Sequence, residues 1–360
     1  MYGFEPDQEQ SMLIEAARRF AETDVRPLAH EADEAGELSP GMIEKGWVLG
    51  VVQASVPEAY GGFGERSVVS NVLAAEELAF GDLAPAMAVL LPASFVMPVL
   101  IAGSQAQKEH WLPPVVAGAW QPYTAAWIEP DFDFSPRLLR TTATSNSGGY
   151  LLSGRKAFVP YADRAPAMIV YAQVDGEPAA FVVPAETQGL QVGARHKLLG
   201  LAALPLFEVE LAEVVLPADA RLTEGPVELM IAASQVGVGA MAVGLSRAAY
   251  EYGLAYARER VAFGEPIGHK QSIAFMLAEM ATEIEAIRLM VWEAAWKLDT
   301  GKPAAESAYL AWMGAADMAM MVTDRAVQIL GGHGYIREHP VERWMRNGRG
   351  IGTFVGMAMV

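Results

Sequence analysis

The sequence predicts an α+β chain in which helices come first, strands next and helices last. Apolar residues recur with a helical period through the first 120 residues, the period falls to two near residue 121, and helical periodicity returns at Pro226. These changes divide the chain into an all-α domain (1–120), a β domain (121–225) and a helical bundle (226–360). A length of 360 residues with 52% apolar side chains is enough for two or three domains and a sizeable core.

In order, "DQEQSMLIEAARRFAETDVRPLA" reads as a helix with Met12, Leu13, Ala16, Ala17 and Phe20 on one stripe. Asp7 is its N-cap, ahead of Glu9 and Gln10. "VPEAYGGFGE" (56–65) is a turn-rich break, and "SVVSNVLAAEELAF" resumes the helical pattern. Residues 83–103 carry no charge and are long enough for a membrane span. Pro85, Pro92 and Pro98 interrupt them, so they read as two short buried helices. "YLLSGRKAFVPYA", "AMIVYAQVD", "AAFVVPA" and "LFEVELAEVVLP" are strand runs parted by Gly, Asp and Pro, and "SNSGGY" (145–150) is a hairpin turn. "VELMIAASQVGVGAMAVGLSRAAYEYGLAYARER" is one long helix whose Gly and Ala suit close helix contact. "SIAFMLAEMATEIEAIRLMVWEAAWKLDTG" and "AESAYLAWMGAADMAMMVTDRAVQILGG" are two more, each closed by glycine.

The formal net charge of −17 opposes a nucleic-acid partner, because phosphate backbones are bound through clustered Lys and Arg. The absence of cysteine excludes disulfides, thiolate metal sites and a Cys nucleophile. "MYGFEPDQEQ" lacks the basic and apolar regions of a signal peptide, and a cytoplasmic protein with no membrane partner is expected. His30, His110, His196, His269, His333 and His339 show no ligand-like spacing with carboxylates, so no metal is expected. "AEMATEIEAIR" reads as a solvated helix face with i,i+4 charges.

Four stretches carry more: "RPLAHEADEAGELSP" (26–40), "GSQAQKEHWLPPVVAGAWQPYTAAWIEP" (103–130), "ERVAFGEPIGHKQ" (259–271) and "QILGGHGYIREHPVERWMRN" (328–347). In this order and at these separations the chain closely resembles the acyl-CoA dehydrogenase family. The resemblance implies an N-terminal helical domain, a middle β-barrel or sandwich and a C-terminal four-helix bundle, assembled as tetramers. It implies FAD between β domain and bundle, with its adenosine half reaching the neighbouring subunit. In such enzymes a glutamate removes the α-proton of the acyl-CoA thioester, the β-hydride goes to the flavin, and electrons leave to electron-transferring flavoprotein.

Carried over residue by residue, the resemblance splits. Arg260, Phe263, Gln271, Gln328, Gly331, Gly332 and Gly334 match the segments that reach toward the partner subunit's FAD, with Arg as the diphosphate clamp and Gly permitting close backbone approach. The positions that line a subunit's own flavin and substrate depart. Ile128 stands where a hydroxyl residue precedes Glu-Pro, "DFDFS" (131–135) replaces a Gly-rich loop, and Phe132 and Phe134 are expected to fill ligand space. Phe158 keeps an aromatic, and Pro160 replaces a threonine. Counting on from Arg346 without a gap puts Val355 at the catalytic glutamate, so no catalytic residue is assigned. Where relatives place that glutamate on the first bundle helix, this chain has Ser234, with Glu228 nearly two turns earlier; the family's final helix is also missing.

This split suggests the non-catalytic subunit of a heterotetrameric FAD-dependent acyl-CoA dehydrogenase. It would complete the FAD site of a homologous catalytic partner acting on fatty acyl or steroid side-chain CoA thioesters. The alternatives are a homotetrameric acyl-CoA dehydrogenase with a displaced base and a non-catalytic acyl-CoA-binding or scaffold protein.

Overall fold

In the computed structural model, which describes residues 5–360, the first helix begins at a reciprocal cap. Asp7 Oδ1 accepts from Gln10 N at 2.8 Å, and Gln10 Oε1 accepts from Asp7 N at 3.1 Å. Helix α1 (Gln8–Phe20) continues through a π segment, Ala21–Val25, into α2 (Arg26–Ala35). Ala17 and Phe20 are buried with Leu13 packed beside them, whereas Met12 is 64% exposed and Ala16 lies in solvent. The expected stripe is therefore rotated: Leu13, Ala17 and Phe20 share a face, and each one-residue step turns a side chain by about 100°.

Helices α3 (Pro40–Trp47), α4 (Val68–Gly81), α5 (Leu83–Val89), α6 (Ala93–Ala102) and α7 (Gln105–Val116) complete this half. The charge-free stretch is indeed two buried helices, α5 and α6, bent by 46° at Leu90–Pro92. Pro98 sits inside α6 without ending it, so the break belongs to Pro92.

The β region is one sheet. Its strands are β1 (Thr124–Ala126), β2 (Thr142–Asn146), β3 (Gly149–Pro160), β4 (Ala167–Val174), β5 (Glu177–Pro184), β6 (Leu190–Arg195), β7 (Leu206–Pro217) and β8 (Arg221–Leu222). Their order is β6-β7-β3-β2-β4-β5-β8, with β1 parallel on β4. Strands β3, β4, β5 and β7 are the four sequence runs, and β2 turns into β3 at "SNSGGY". Strands β1, β2, β6 and β8 escaped the sequence because they are short or largely polar; β6 is almost wholly exposed.

The long helix α8 (Val227–Glu259) is the axis of the molecule. It packs on α4, α9 (Gln271–Asp299) and α10 (Ala305–Leu330), and α11 (Val341–Gly348) follows. By length and composition α8 is apolar enough to cross a membrane, yet 94% of its apolar window is buried inside the protein. Its small residues permit that packing, since a Cβ on Gly244 would stand 2.0 Å from Glu76 O.

Charges also sit between these helices. Arg247 donates to Glu76 at 2.7 Å and to Glu77 at 2.9 and 2.6 Å, and Arg18 and Arg288 close the network. Arg288 thus corrects the solvated-face expectation for "AEMATEIEAIR": its side chain is 15% exposed and turns inward to Glu76. Burial pushes the Glu76 carboxyl above its ordinary range. Burial acts the same way on Glu77, but hydrogen bonds from Arg247 and Arg18 outweigh it and hold that carboxyl low.

Candidate functional site

The residues matching the outward-reaching flavin segments gather where α8 ends. Arg260 follows its last turn, and β9 (Val261–Ala262) pairs with β10 (Glu265–Pro266) around Phe263 and Gly264, both at positive φ. Across a shallow hollow of about 280 Å³, Arg260 faces Gly331, Gly332 and His333 at the end of α10, with Tyr256 between them. Gly331 adopts φ 58°, ψ −128°, which a side chain resists, and nothing lies within 4 Å of a Cβ built on Gly331 or Gly332. Arg260 makes no side-chain hydrogen bond or ion pair among the described residues, and it is exposed. His333 is fixed by Tyr256, Oη to Nδ1 2.7 Å, and stacks on His339 at 5.4 Å.

Not all seven positions join this hollow. Phe263 projects beside it and is 96% exposed, Gln271 opens α9, and Gln328 is exposed in the last turn of α10. Gly334 is buried, where a Cβ would meet Val327 O at 2.4 Å, so it serves the packing of the loop on α10.

The inner site is built differently. Ile128 is buried, and its carbonyl accepts from Ala157 N at 2.8 Å. Phe158 sits at φ 54° in an irregular stretch of β3, and its N–H donates to His196 Nε2 at 3.3 Å. Pro160 is buried opposite Leu206 and offers no N–H. Phe132 corrects an expectation, since its ring is fully exposed and fills nothing; Phe134 packs on the core.

Val355 is 2% exposed, and the segment from Phe354 to Val360 is buried throughout. Gly356 N donates to Ser234 Oγ at 2.6 Å, so the tail segment meets the first bundle helix beside Val355, and the two positions expected from the resemblance to correspond to a base lie together. Gly356, at φ 91°, passes Trp127 so closely that a Cβ would stand 2.7 Å from the Trp127 Cβ. Met359 lies over Gly237, and Arg66 Nη2 donates to Val360 O at 2.6 Å. The half-exposed Glu228 carboxylate pairs with Arg137 at 3.3 Å. Alone, the sequence reading missed Arg66 and also the Glu129–Lys156 pair (2.8 Å) inside the sheet. A lysine within the alternating run "GRKAFV" was the available signal for that pair. Burial pushes its ammonium down to about 8.

An arginine and open glycines that could hold a dinucleotide diphosphate, set on a helix–sheet–helix chain with an inner cleft at the sheet, define a flavin-dependent dehydrogenase architecture. The chain matches the family models described as acyl-CoA dehydrogenase N-terminal domain (residues 7–119), middle domain (124–214) and C-terminal domain (228–358). It belongs to the acyl-CoA dehydrogenase family. It is 34% identical to the probable acyl-CoA dehydrogenase YngJ of Bacillus subtilis, covering 96% of this chain and 94% of that protein. It is also 34% identical to the short-chain specific acyl-CoA dehydrogenase of Megasphaera elsdenii, covering 94% and 92%. Among solved structures, butyryl-CoA dehydrogenase from Megasphaera elsdenii superposes with a TM-score of 0.89 at 33% identity, covering 99% of this chain and 96% of that one. A second, described as electron transferring flavoprotein of Acidaminococcus fermentans, also gives 0.89, at 31% identity and the same coverage. The family is one of FAD-dependent oxidoreductases, and solved relatives at 26% identity carry FADH2 or FAD.

FAD fits this chain unevenly. The outer hollow offers a free guanidinium and bare backbone, as a diphosphate requires. On the inner wall the Phe158 N–H is taken by His196 and Pro160 has none.

Proposed function

We propose that this chain is the non-catalytic subunit of a heterotetrameric FAD-dependent acyl-CoA dehydrogenase. The observation that supports this reading is the buried tail segment: Val355, which the gap-free count from Arg346 sets at the base position, is buried, and the Gly356–Ser234 bond fastens the residue beside it. Neither valine nor a hydroxyl engaged as acceptor can take the α-proton of a thioester, and loss of a positioned base costs about 10²- to 10⁴-fold in rate.

The outer hollow carries the positive half of the assignment. Arg260 would clamp the diphosphate of FAD held mainly by a homologous catalytic subunit, and Gly331 and Gly332 would let the backbone approach it. Phe263 and the amides near Gln271 and Gln328 would flank the adenosine half. FAD, when bound in the partner's site, supplies the hydride acceptor for α,β-dehydrogenation of the acyl-CoA. Electrons would pass to an electron-transferring flavoprotein, in keeping with the electron transferring flavoprotein among the structural relatives and with the caffeyl-CoA reductase–Etf complex subunit among the sequence relatives.

The test is the flavin-to-protein ratio by visible absorbance, for this chain alone and co-expressed with a glutamate-bearing relative. No flavin alone and one FAD per heterodimer together are expected. A full, stable flavin complement and turnover in the isolated chain overturn the proposal.

A further inference from the structure

An imidazole pair borders the outer hollow. His333 lines it with Arg260, Gly331 and Gly332, and its ring lies 17° from parallel to that of His339, the centroids 5.4 Å apart. Two tyrosines one turn apart on α8 hold the pair: Tyr256 Oη meets His333 Nδ1 and Tyr252 Oη meets His339 Nδ1, both at 2.7 Å. We propose that His333 is a proton-dependent second counter-charge for the FAD diphosphate beside Arg260, so that this chain takes up a proton as it completes its partner's cofactor site. The inference rests on the two-subunit reading for the identity of the anion.

The tyrosine bond leaves one His333 nitrogen for a ligand, since Nε2 has no protein partner among the described residues. With Tyr256 Oη donating to Nδ1, the neutral ring carries its hydrogen on Nε2. A further proton then goes to Nδ1, the tyrosine oxygen accepts instead, and Nε2–H gains the strength of a charged donor toward phosphate. In the other tautomer Nε2 acquires a hydrogen only on protonation, and the coupling has the same sign. Burial raises the Tyr252 hydroxyl above its ordinary range, so the brace on His339 also keeps its proton.

The surroundings set the sign of the effect. His269 is the one histidine within 4 Å of a carboxylate among the described residues, so neither ring of the pair has an acidic partner. From α8 the hollow receives Tyr256 and Arg260, with Arg258 and Glu259 exposed just before the latter. Ile329 and Leu330 line it from α10, and Ala262 and Ile267 from the segment around the β9–β10 hairpin. The loop's own charges are Arg337, paired with Glu34 of α2, and exposed Glu338. On α11, Glu342 pairs with Arg346 and Arg343 with Asp82, while Trp344 reaches the pair through Tyr252. Protonating His333 in the empty hollow therefore adds a cation to a site that already holds Arg260, with no anion to match it. A bound diphosphate supplies that anion and favours the imidazolium, and an imidazole ordinarily gains its proton near pH ~6.5.

The probe is ADP-ribose, whose bridging diphosphate keeps the same charge between pH 8.0 and 6.0, titrated calorimetrically into the isolated full chain at both values. FAD is then titrated into the deflavinated co-expressed complex. Expected with either probe are about tenfold tighter binding at pH 6.0 and uptake of at most about one proton, seen as a dependence of the heat on buffer ionisation. His333→Gln and His333→Asn should remove most of that gain while staying within about threefold of wild type at pH 8.0, and His339→Gln should keep it. Equal pH slopes in wild type and both His333 variants, or a slope that follows His339, overturn the proposal. Flavin shared in the complex without a His333-dependent slope overturns it alone. A His333-dependent slope with ADP-ribose but no shared flavin overturns the two-subunit reading and leaves the anion site standing. No saturable ADP-ribose binding together with no shared flavin overturns both.

Discussion

Gly356 and Ser234 bear most directly on the inner site, because their single hydrogen bond ties the buried tail segment to the first bundle helix. Ser234→Ala leaves a buried N–H without a partner, at a cost of about 1–3 kcal/mol. Gly356→Ala adds overlap with Trp127 to the strain of φ 91°, so it is expected to be the more destabilising of the two. Urea unfolding checks both: the midpoints should fall with unchanged slopes, and wild-type midpoints would show that the segment is not held there. Lys156 makes a second prediction. Its folded pKa is lowered to about 8 from 10.5, chiefly by burial. Below pH 8 both states hold the proton and the folded state bears the full desolvation penalty. Between 8 and 10.5 the unfolded chain holds more protons, so this contribution makes stability rise with pH. Lys156→Met should cost about 3–5 kcal/mol by stranding Glu129, and the gap to wild type should widen across that window. Above pH 10 Tyr161, raised by burial to about 12, works in the opposite direction.

At the scale of elements, α8 ties the helical halves together through Arg247, and the hollow at its end is where the proposed flavin contacts lie. Arg247→Met leaves Glu76 and Glu77 short of their shared cation and should cost about 3–5 kcal/mol, read as a fall in Tm. Arg260→Ala is different, because the guanidinium is exposed and has no ion pair among the described residues. Its Tm in the isolated chain should match wild type, while the flavin content of the co-expressed complex falls. Equal flavin content in variant and wild-type complexes would remove Arg260 from the cofactor site. Gly331→Ala should lose flavin as well, with some loss of stability from the backbone conformation at the end of α10.

For the whole molecule, one side chain joins all three regions. Asn347, on α11, accepts from Leu201 N at 2.7 Å in the β domain and donates to Asp82 at 3.2 Å in the N-terminal half, where Arg343 also pairs at 2.8 Å. Burial pushes the Asp82 carboxyl above its ordinary range despite Arg343. Asn347→Leu frees the Leu201 amide and leaves Asp82 one donor short, so amide exchange in the Leu199–Leu201 loop should accelerate well before global unfolding. Unchanged exchange there would mean that the seam is held by other contacts.

By themselves, the residues determined the order of helices and strands, the cap at Asp7, the four long strands and the buried pair α5–α6, because each depends on local periodicity or on a nearby stop signal. They also fixed the family, through motifs read along the chain, and the type of residue at Val355. Side-chain direction and partnership waited on tertiary structure. Sequence spacing does not say that Arg288 turns inward to a glutamate 212 positions away, that Phe132 faces solvent, or that Met12 leaves the stripe. Nor does it say that Gly356 meets Ser234, 122 positions earlier. Such contacts depend on which helix faces are covered and which charges are desolvated together, and only the packed chain decides those.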